Sequence, residues 1–270
     1  MRGVSAASQT AVVDRLDDLL GQEGTDPEQV GSDLFGVTAL LEAEPRLRRA
    51  VTDPATPADA KSGLLHGIVG GQVSDAAAQV AVEASRHRWA ASTDLLDALE
   101  YAGVSAQVQA AVSAGQADEL EDELFRFGRL VVADPALRDA LADRSAPVGG
   151  KRELVRSLLQ GKATSPTVRL VEQAVAGRYR SFTVALEQIQ SMAAQRQQRL
   201  VATVRAARPL QDDERRRLAG ALTRQYGRDV HLNLVSEPAL LGGLRIEVGD
   251  DVIDGTVRNR LDNARRLLAG

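Results

Sequence analysis

The chain has 270 residues, 44% of them apolar but only 3% aromatic, and a formal net charge of −4. That length allows two or three small domains, and with so few rings their cores must be built from Ala, Leu and Val, which favours closely packed helices. The modest charge excludes bulk attraction to DNA or anionic lipid, and the absence of cysteine excludes disulfides, thiolate nucleophiles and Cys-ligated metals.

From the N-terminus, "MRGVSAASQTAVVDRLDDLL" lacks an apolar core of signal-peptide length. No run of 18 apolar residues occurs anywhere, so no direct membrane insertion is expected and the chain reads as soluble and cytoplasmic. Residues 34–71 then repeat at an offset of 90. Aligned without gaps to 124–161, they match at 13 of 38 positions, including Pro45/Pro135, Asp53/Asp143, Pro57/Pro147 and Lys61/Lys151. Chance in so Ala- and Leu-rich a chain gives roughly three or four matches. Two copies alone make a domain duplication, not a solenoid.

Each copy reads as helices. Leu34, Leu40, Leu41 and Leu47 carry a helical spacing broken at Pro45, where a short helix begins with proline in its first turn. Pro57 opens another, with Leu64, Leu65 and Ile68 on one side and Gly70-Gly71 as its stop. Ser74-Asp75 caps a helix bearing Val80, Val82 and Ala84. Its counterpart opens at Thr164-Ser165-Pro166 with Val168, Val171 and Val175 inward. Between the copies, 92–115 reads as one helix ending the first bundle and opening the second, although Gly103 weakens it by about 1 kcal/mol relative to alanine. After a helix at 185–199 the character changes. Residues 199–210 read as a strand, 211–227 as a helix with acids in its first turn, and "DVHLNLVSE" as a strand with one buried face. Gly242-Gly243 turns into "LRIEV", "GDD" makes a hairpin, and Thr256 caps a last helix carrying Val257, Leu261, Ala264 and Leu268. The expected fold is mainly α: a first bundle at 1–98, a second at 99–198, and a small α/β domain at 199–270.

Little in this pattern supports chemistry. Asp250, Asp251 and Asp254 before Gly255 lack the alternate spacing and distal glutamate of a calcium loop, so they read as a hairpin turn and a helix start. In "RSAPVGGKR", Ser145 stands where a phosphate loop needs its first glycine and Arg152 where it needs Ser or Thr. Lys151 and its duplicate Lys61 therefore read as helix-surface charges. His66, His87 and His231 are scattered and none keeps its identity in the other copy. No catalytic residue, metal or cofactor is expected. The arginines at 215–217 and the cluster Arg258, Arg260, Arg265 and Arg266 sit among acids with few aromatics nearby. They read as solvated faces with internal ion pairs or as a docking face, and only weakly as a nucleic-acid grip.

The stretch "GGLRIEVGDDVIDGTVRNRLDNARR" (242–266) resembles the C-terminal signature of the delta subunit of F-type ATP synthases, the bacterial relative of the oligomycin-sensitivity-conferring protein. It supplies Gly249-Asp250, Val252-Ile253-Asp254-Gly255 and Val257-Arg258 with Arg260-Leu261, and departs conservatively at Thr256 and Asn259. Tyr101-Ala102, "AGRY" (176–179) and "ATVRAARPLQDDE" extend the likeness backwards, so 99–270 resembles a complete ordinary member and 1–98 an extra N-terminal bundle, as in an actinobacterial variant. With no membrane span, the chain does not look like the form of delta fused to b. The resemblance implies a non-catalytic stator subunit, one copy in a hetero-oligomeric complex on the cytoplasmic face of the membrane. It would hold N-terminal helices of alpha subunits and grip the b-subunit stalk. The expected groove lies between helix 104–112 and helix 166–175, lined by Val104, Val108, Val112, Val168, Val171 and Val175, each of which equally suits the bundle core. Arg258, Arg260, Arg265 and Arg266 are the candidates for facing b. The competing reading is a freestanding helical adaptor or nucleic-acid-associated protein that carries this module.

Overall fold

The computed structural model describes residues 3–143, 145–176, 178–196, 200–227, 230–238, 240, 242–248 and 251–254. Among them are twelve helices and a four-stranded sheet, divided into two compact units, Met1–Ala193 and Ala194–Gly270. The fold is mainly α with a small α/β part, as the sequence pattern leads one to expect.

The first unit holds α1 (Val4–Leu20), α2 (Pro27–Ala43), α3 (Pro45–Thr52), α4 (Ala58–Val69), α5 (Asp75–Arg86), α6 (Ser92–Ser113), α7 (Ala117–Ala133), α8 (Pro135–Ala142), α9 (Val148–Leu159), α10 (Ser165–Ala174) and most of α11 (Phe182–Arg196). Adding 90 to the bounds of α2, α3 and α4 gives those of α7, α8 and α9. Adding 90 to α1 lands inside α6, and adding 90 to the start of α6 gives the start of α11. One unbroken helix, α6, therefore closes the first copy and opens the second.

Local chemistry sets these boundaries. Asp26 Oδ1 accepts from the Glu28 and Gln29 amides at 3.0 and 3.4 Å, and Asp134 Oδ1 accepts from the Leu137 amide at 3.1 Å. Proline stands in the first turn of α2, α3, α8 and α10. Ser74 and Thr164 precede α5 and α10, but neither hydroxyl caps its helix. Instead their amides donate to carboxylates of a neighbouring helix, Ser74 to Asp33 at 2.7 Å and Thr164 to Glu123 at 2.9 Å, again 90 residues apart.

Two apolar cores result. The first gathers Val12, Leu16, Leu34, Leu41, Leu65, Val80, Leu95 and Leu99; the second gathers Val104, Val108, Leu124, Phe127, Leu170, Val171, Phe182 and Ile189. The inward stripe of α4 differs from the expected one. Leu65 and Val69 are buried, whereas Leu64 and Ile68 are exposed. Lys61 is no surface charge either: it is only 3% exposed and its Nζ donates to the His87 carbonyl at 3.3 Å, on the end of α5. Val82 is half-buried, not inward like Val80 and Ala84.

In the second unit β1 (Leu200–Ala206) is central. It pairs in parallel with β2 (Val230–Ser236) after the crossover helix α12 (Asp212–Tyr226) and antiparallel with β3 (Leu244–Val248), which pairs antiparallel with β4 (Asp251–Asp254). Ala202, Val204, Ile246 and Val248 alternate into one face and pack on Leu222 of α12. Gly227, in the left-handed region, ends α12, and Arg208 and the Gln211 amide both bind Glu214 at its start. Val235 is buried like Val230 and Leu232, so β2 is less one-sided than its alternation suggests.

Candidate functional site

The sequence points to the seam between α6 and α10. The structure brings those helices together and closes the seam. Val104, Val108, Val171 and Val175 are at most 5% exposed and belong to the second core, Val168 packs on it partly buried, and Val112 alone lies open, 46% exposed. These side chains hold the bundle together and do not line a vacant groove.

What lies over the seam is α2, from the first copy. Gln107 Nε2 donates to the Glu28 carbonyl at 2.9 Å, and the Ser165 hydroxyl donates to the Glu28 carboxylate. Arg169 stands 3.8 Å from the same carboxylate. Midway, Phe35 joins the second core. At the far end of α2, Glu42 lies in the fields of Arg178 and Glu100. Rising numbers on α2 meet falling numbers on α6, so the two helices run antiparallel. Two glycines permit the approach: a Cβ on Gly103 would meet Phe35 Cε1 at 2.5 Å, and one on Gly31 would meet Gln107 Nε2 at 2.6 Å and the Gly103 carbonyl at 2.9 Å.

This contact engages Gln107, one of a set of buried polar residues on α6 and α10. Glu100, Ser105, Gln107, Thr167, Glu172 and Gln173 are all at most 7% exposed. Buried polar groups are tolerated when hydrogen-bonded. Gln173 Nε2 donates to Glu100 Oε1 at 2.7 Å, while Tyr179 Oη (2.8 Å) and Arg178 Nε (3.2 Å) donate to Oε2. Arg178, its side chain 8% exposed, also pairs with Asp97. Desolvation holds the Asp97 carboxyl above its ordinary range, with the Arg178 guanidinium pulling it back, and burial beside Glu100 pushes the Tyr179 phenol well above its ordinary value. Composition offered no signal for this network; its sequence trace is Glu100 on α6, Gln173 on α10 and Arg178-Tyr179 in the segment that follows α10.

Among the described residues no helix lies over the corresponding seam in the first copy, between α1 and α5. It is a shallow cleft of about 470 Å³ lined by Ala11, Asp14, Arg15, Asp18, Gln79, Val82, Glu83 and Arg86. The four arginines from Arg258 to Arg266 lie outside the described residues, as do Gly249-Asp250 of the hairpin turn and the last helix expected after Thr256. Among the described residues no cluster of three or more His, Cys, Asp or Glu is placed to hold a metal, and no helix is long and apolar enough to cross a membrane.

Stacked helical bundles with a helix already laid along one seam, joined to a small α/β unit, define an all-surface scaffold protein. The family model described as ATP synthase delta (OSCP) subunit matches residues 98–268, and the chain belongs to that family of non-catalytic, structural peripheral-stalk subunits. Proteins called "ATP synthase subunit delta" are similar over its whole length. That of Streptomyces avermitilis is 46% identical over 99% of this chain and 98% of its own, and that of Kineococcus radiotolerans 47% identical over the same shares. The stretch ahead of residue 98 is thus matched in those relatives too. A chain of the Toxoplasma gondii mitochondrial ATP synthase hexamer is 18% identical over 62% of this chain and 95% of its own, with a TM-score of 0.37.

Proposed function

We propose that this chain is the tie between the catalytic head and the b-subunit stalk of an F-type ATP synthase. It resists the torque of rotation and sits peripherally on the cytoplasmic face of the membrane, one copy per complex. Its bundles hold N-terminal helices of alpha subunits, and its C-terminal end, with Arg258, Arg260, Arg265 and Arg266, faces b. The observation that carries this reading is α2 along the α6–α10 seam, which is a helix-in-groove contact made within the chain. The fixed polar contacts and the apolar anchor Phe35 give that contact a defined register. Nucleic acid is a poor alternative at a net charge of −4.

Co-purification tests the proposal. Tagged chain should recover alpha, beta and b polypeptides from membranes, and truncating the alpha N-terminal helix should release the head. Reversing the four C-terminal arginines to glutamate should release b while the head stays bound. Recovery of the chain free of all synthase polypeptides overturns the proposal, as does steeply salt-dependent retention on DNA.

A further inference from the structure

The duplication offers an internal comparison of two grooves. On the second bundle, α7 and α11 flank a pocket of about 140 Å³ whose lining includes Phe125, Gly128, Arg129, Val132, Leu186 and Glu187. Ninety residues earlier, Phe35, Leu96 and Asp97 stand where Phe125, Leu186 and Glu187 do, on α2 and α6. There the second copy fills the position: Arg178 pairs with Asp97 and Glu100, and Tyr179 donates to Glu100. No third copy follows α11, and among the described residues its groove stays open.

The open groove is also the more apolar of the two. Val132 replaces Glu42 and Gln190 replaces Glu100, so two acids in the field of Arg178 have no charged counterpart here. Val132 is 53% exposed, and Phe125 is half-buried where Phe35 is buried. Phe182 gives the groove a firm wall, since it is buried and meets Phe127 edge-on with ring centroids 6.0 Å apart. Gly128 keeps the groove open, because a Cβ there would already lie 3.3 Å from Leu186 Cδ2. Arg129 on α7 and Glu187 on α11 are exposed, and neither has an ion-pair partner among the described residues.

We infer that the α7–α11 groove is a second seat for the b stalk. An amphipathic helix of b sets a large apolar side chain over Gly128 and Val132, with an acid toward Arg129 and a base toward Glu187. This rests on the stator reading and adds a b contact outside the C-terminal arginines. Chain order selects b over the head. α11 ends at Arg196 and β1 begins at Leu200, so α11 leads directly into the domain proposed to face b. A stalk held on α11 as well as on that domain shares the torque carried by the connection between them.

The test uses the full chain, with purified b polypeptide and purified head as separate probes. Arg129→Glu with Val132→Asp is expected to weaken b binding about tenfold and to leave head binding unchanged. Leu130→Asp is the control: it removes a comparably exposed apolar side chain from α7 outside the groove and should leave b binding unchanged. All three positions are exposed, so unchanged melting shows that the variants fold. Because the chain has no cysteine, Val132→Cys provides a unique thiol, and bound b should slow its reaction with a maleimide while bound head should not. Unchanged b binding by the groove variant, or protection of the thiol by the head in place of b, overturns this inference and leaves the stator reading standing. Failure of the parent chain to bind b at all overturns the stator reading and this inference with it.

Discussion

Gly103→Ala sets two known effects against each other. In the middle of α6 the substitution gains about 1 kcal/mol of helix propensity. The added methyl, however, would sit 2.5, 2.7 and 3.2 Å from three ring carbons of Phe35. The ring cannot swing away, because it is packed into the second core and is only 9% exposed. Nor can α2 retreat freely, since Gln107 Nε2 holds its Glu28 carbonyl at 2.9 Å. Overpacking of this kind costs about 1–3 kcal/mol, so the net change is a loss of up to about 2 kcal/mol. In a unit of this size each kcal/mol moves the melting point by about 2–4 °C. Phe35→Ala alone should cost about 3–5 kcal/mol. In that background the obstruction is gone, and Gly103→Ala should now stabilise by up to about 1 kcal/mol. Urea unfolding of the four proteins gives the coupling, expected at about 1–3 kcal/mol. If Gly103→Ala stabilises equally with and without the ring, α2 does not press on α6 at this point and the covered-seam argument fails.

Further outcomes are expected elsewhere in the molecule. Arg178→Met leaves Asp97 and buried Glu100 without their cation and should cost about 3–5 kcal/mol by urea unfolding, with Glu100→Gln restoring part of the loss. Asp33→Ala and Glu123→Ala each strip an acceptor from the amide that opens α5 or α10, and each should cost about 1–3 kcal/mol in the same assay. Arg208 and the Gln211 amide hold the Glu214 carboxylate down at about 2, well under its ordinary value. A depressed acid stabilises the fold above its unfolded pKa and loses that contribution as pH falls. Carbonyl NMR should therefore show Glu214 titrating near 2, with Arg208→Ala moving it toward the ordinary range; an unmoved midpoint refutes the pairing.

Much of the first unit is legible because duplication and helix punctuation are local. The prolines at 45 and 135, Gly70-Gly71 and the 90-residue offset speak for themselves. The role of the α6 valines is less legible. Leu95, Leu99, Ala102 and Ala106 face one core, Val104 and Val108 the other, and Gly103 and Gln107 face α2. A helix buried on every side has no stripe that singles out a partner face, so its valines suit core and groove alike. The misread stripe of α4 has a related cause: adjacent Leu64 and Leu65 give two registers, and the burial of Lys61 decides for the one that apolar spacing disfavours. That α2 covers the seam depends on a contact between residues about 70–80 apart, which no local pattern encodes.

The doubled role of α6 also sets an arithmetic of growth. Since the closing helix of one copy is the opening helix of the next, a repeat adds five helices and 90 residues instead of six and a linker. Lineages enlarging this subunit by the same recombination would lengthen it in indivisible steps of that size, each welded to its predecessor through continuous backbone.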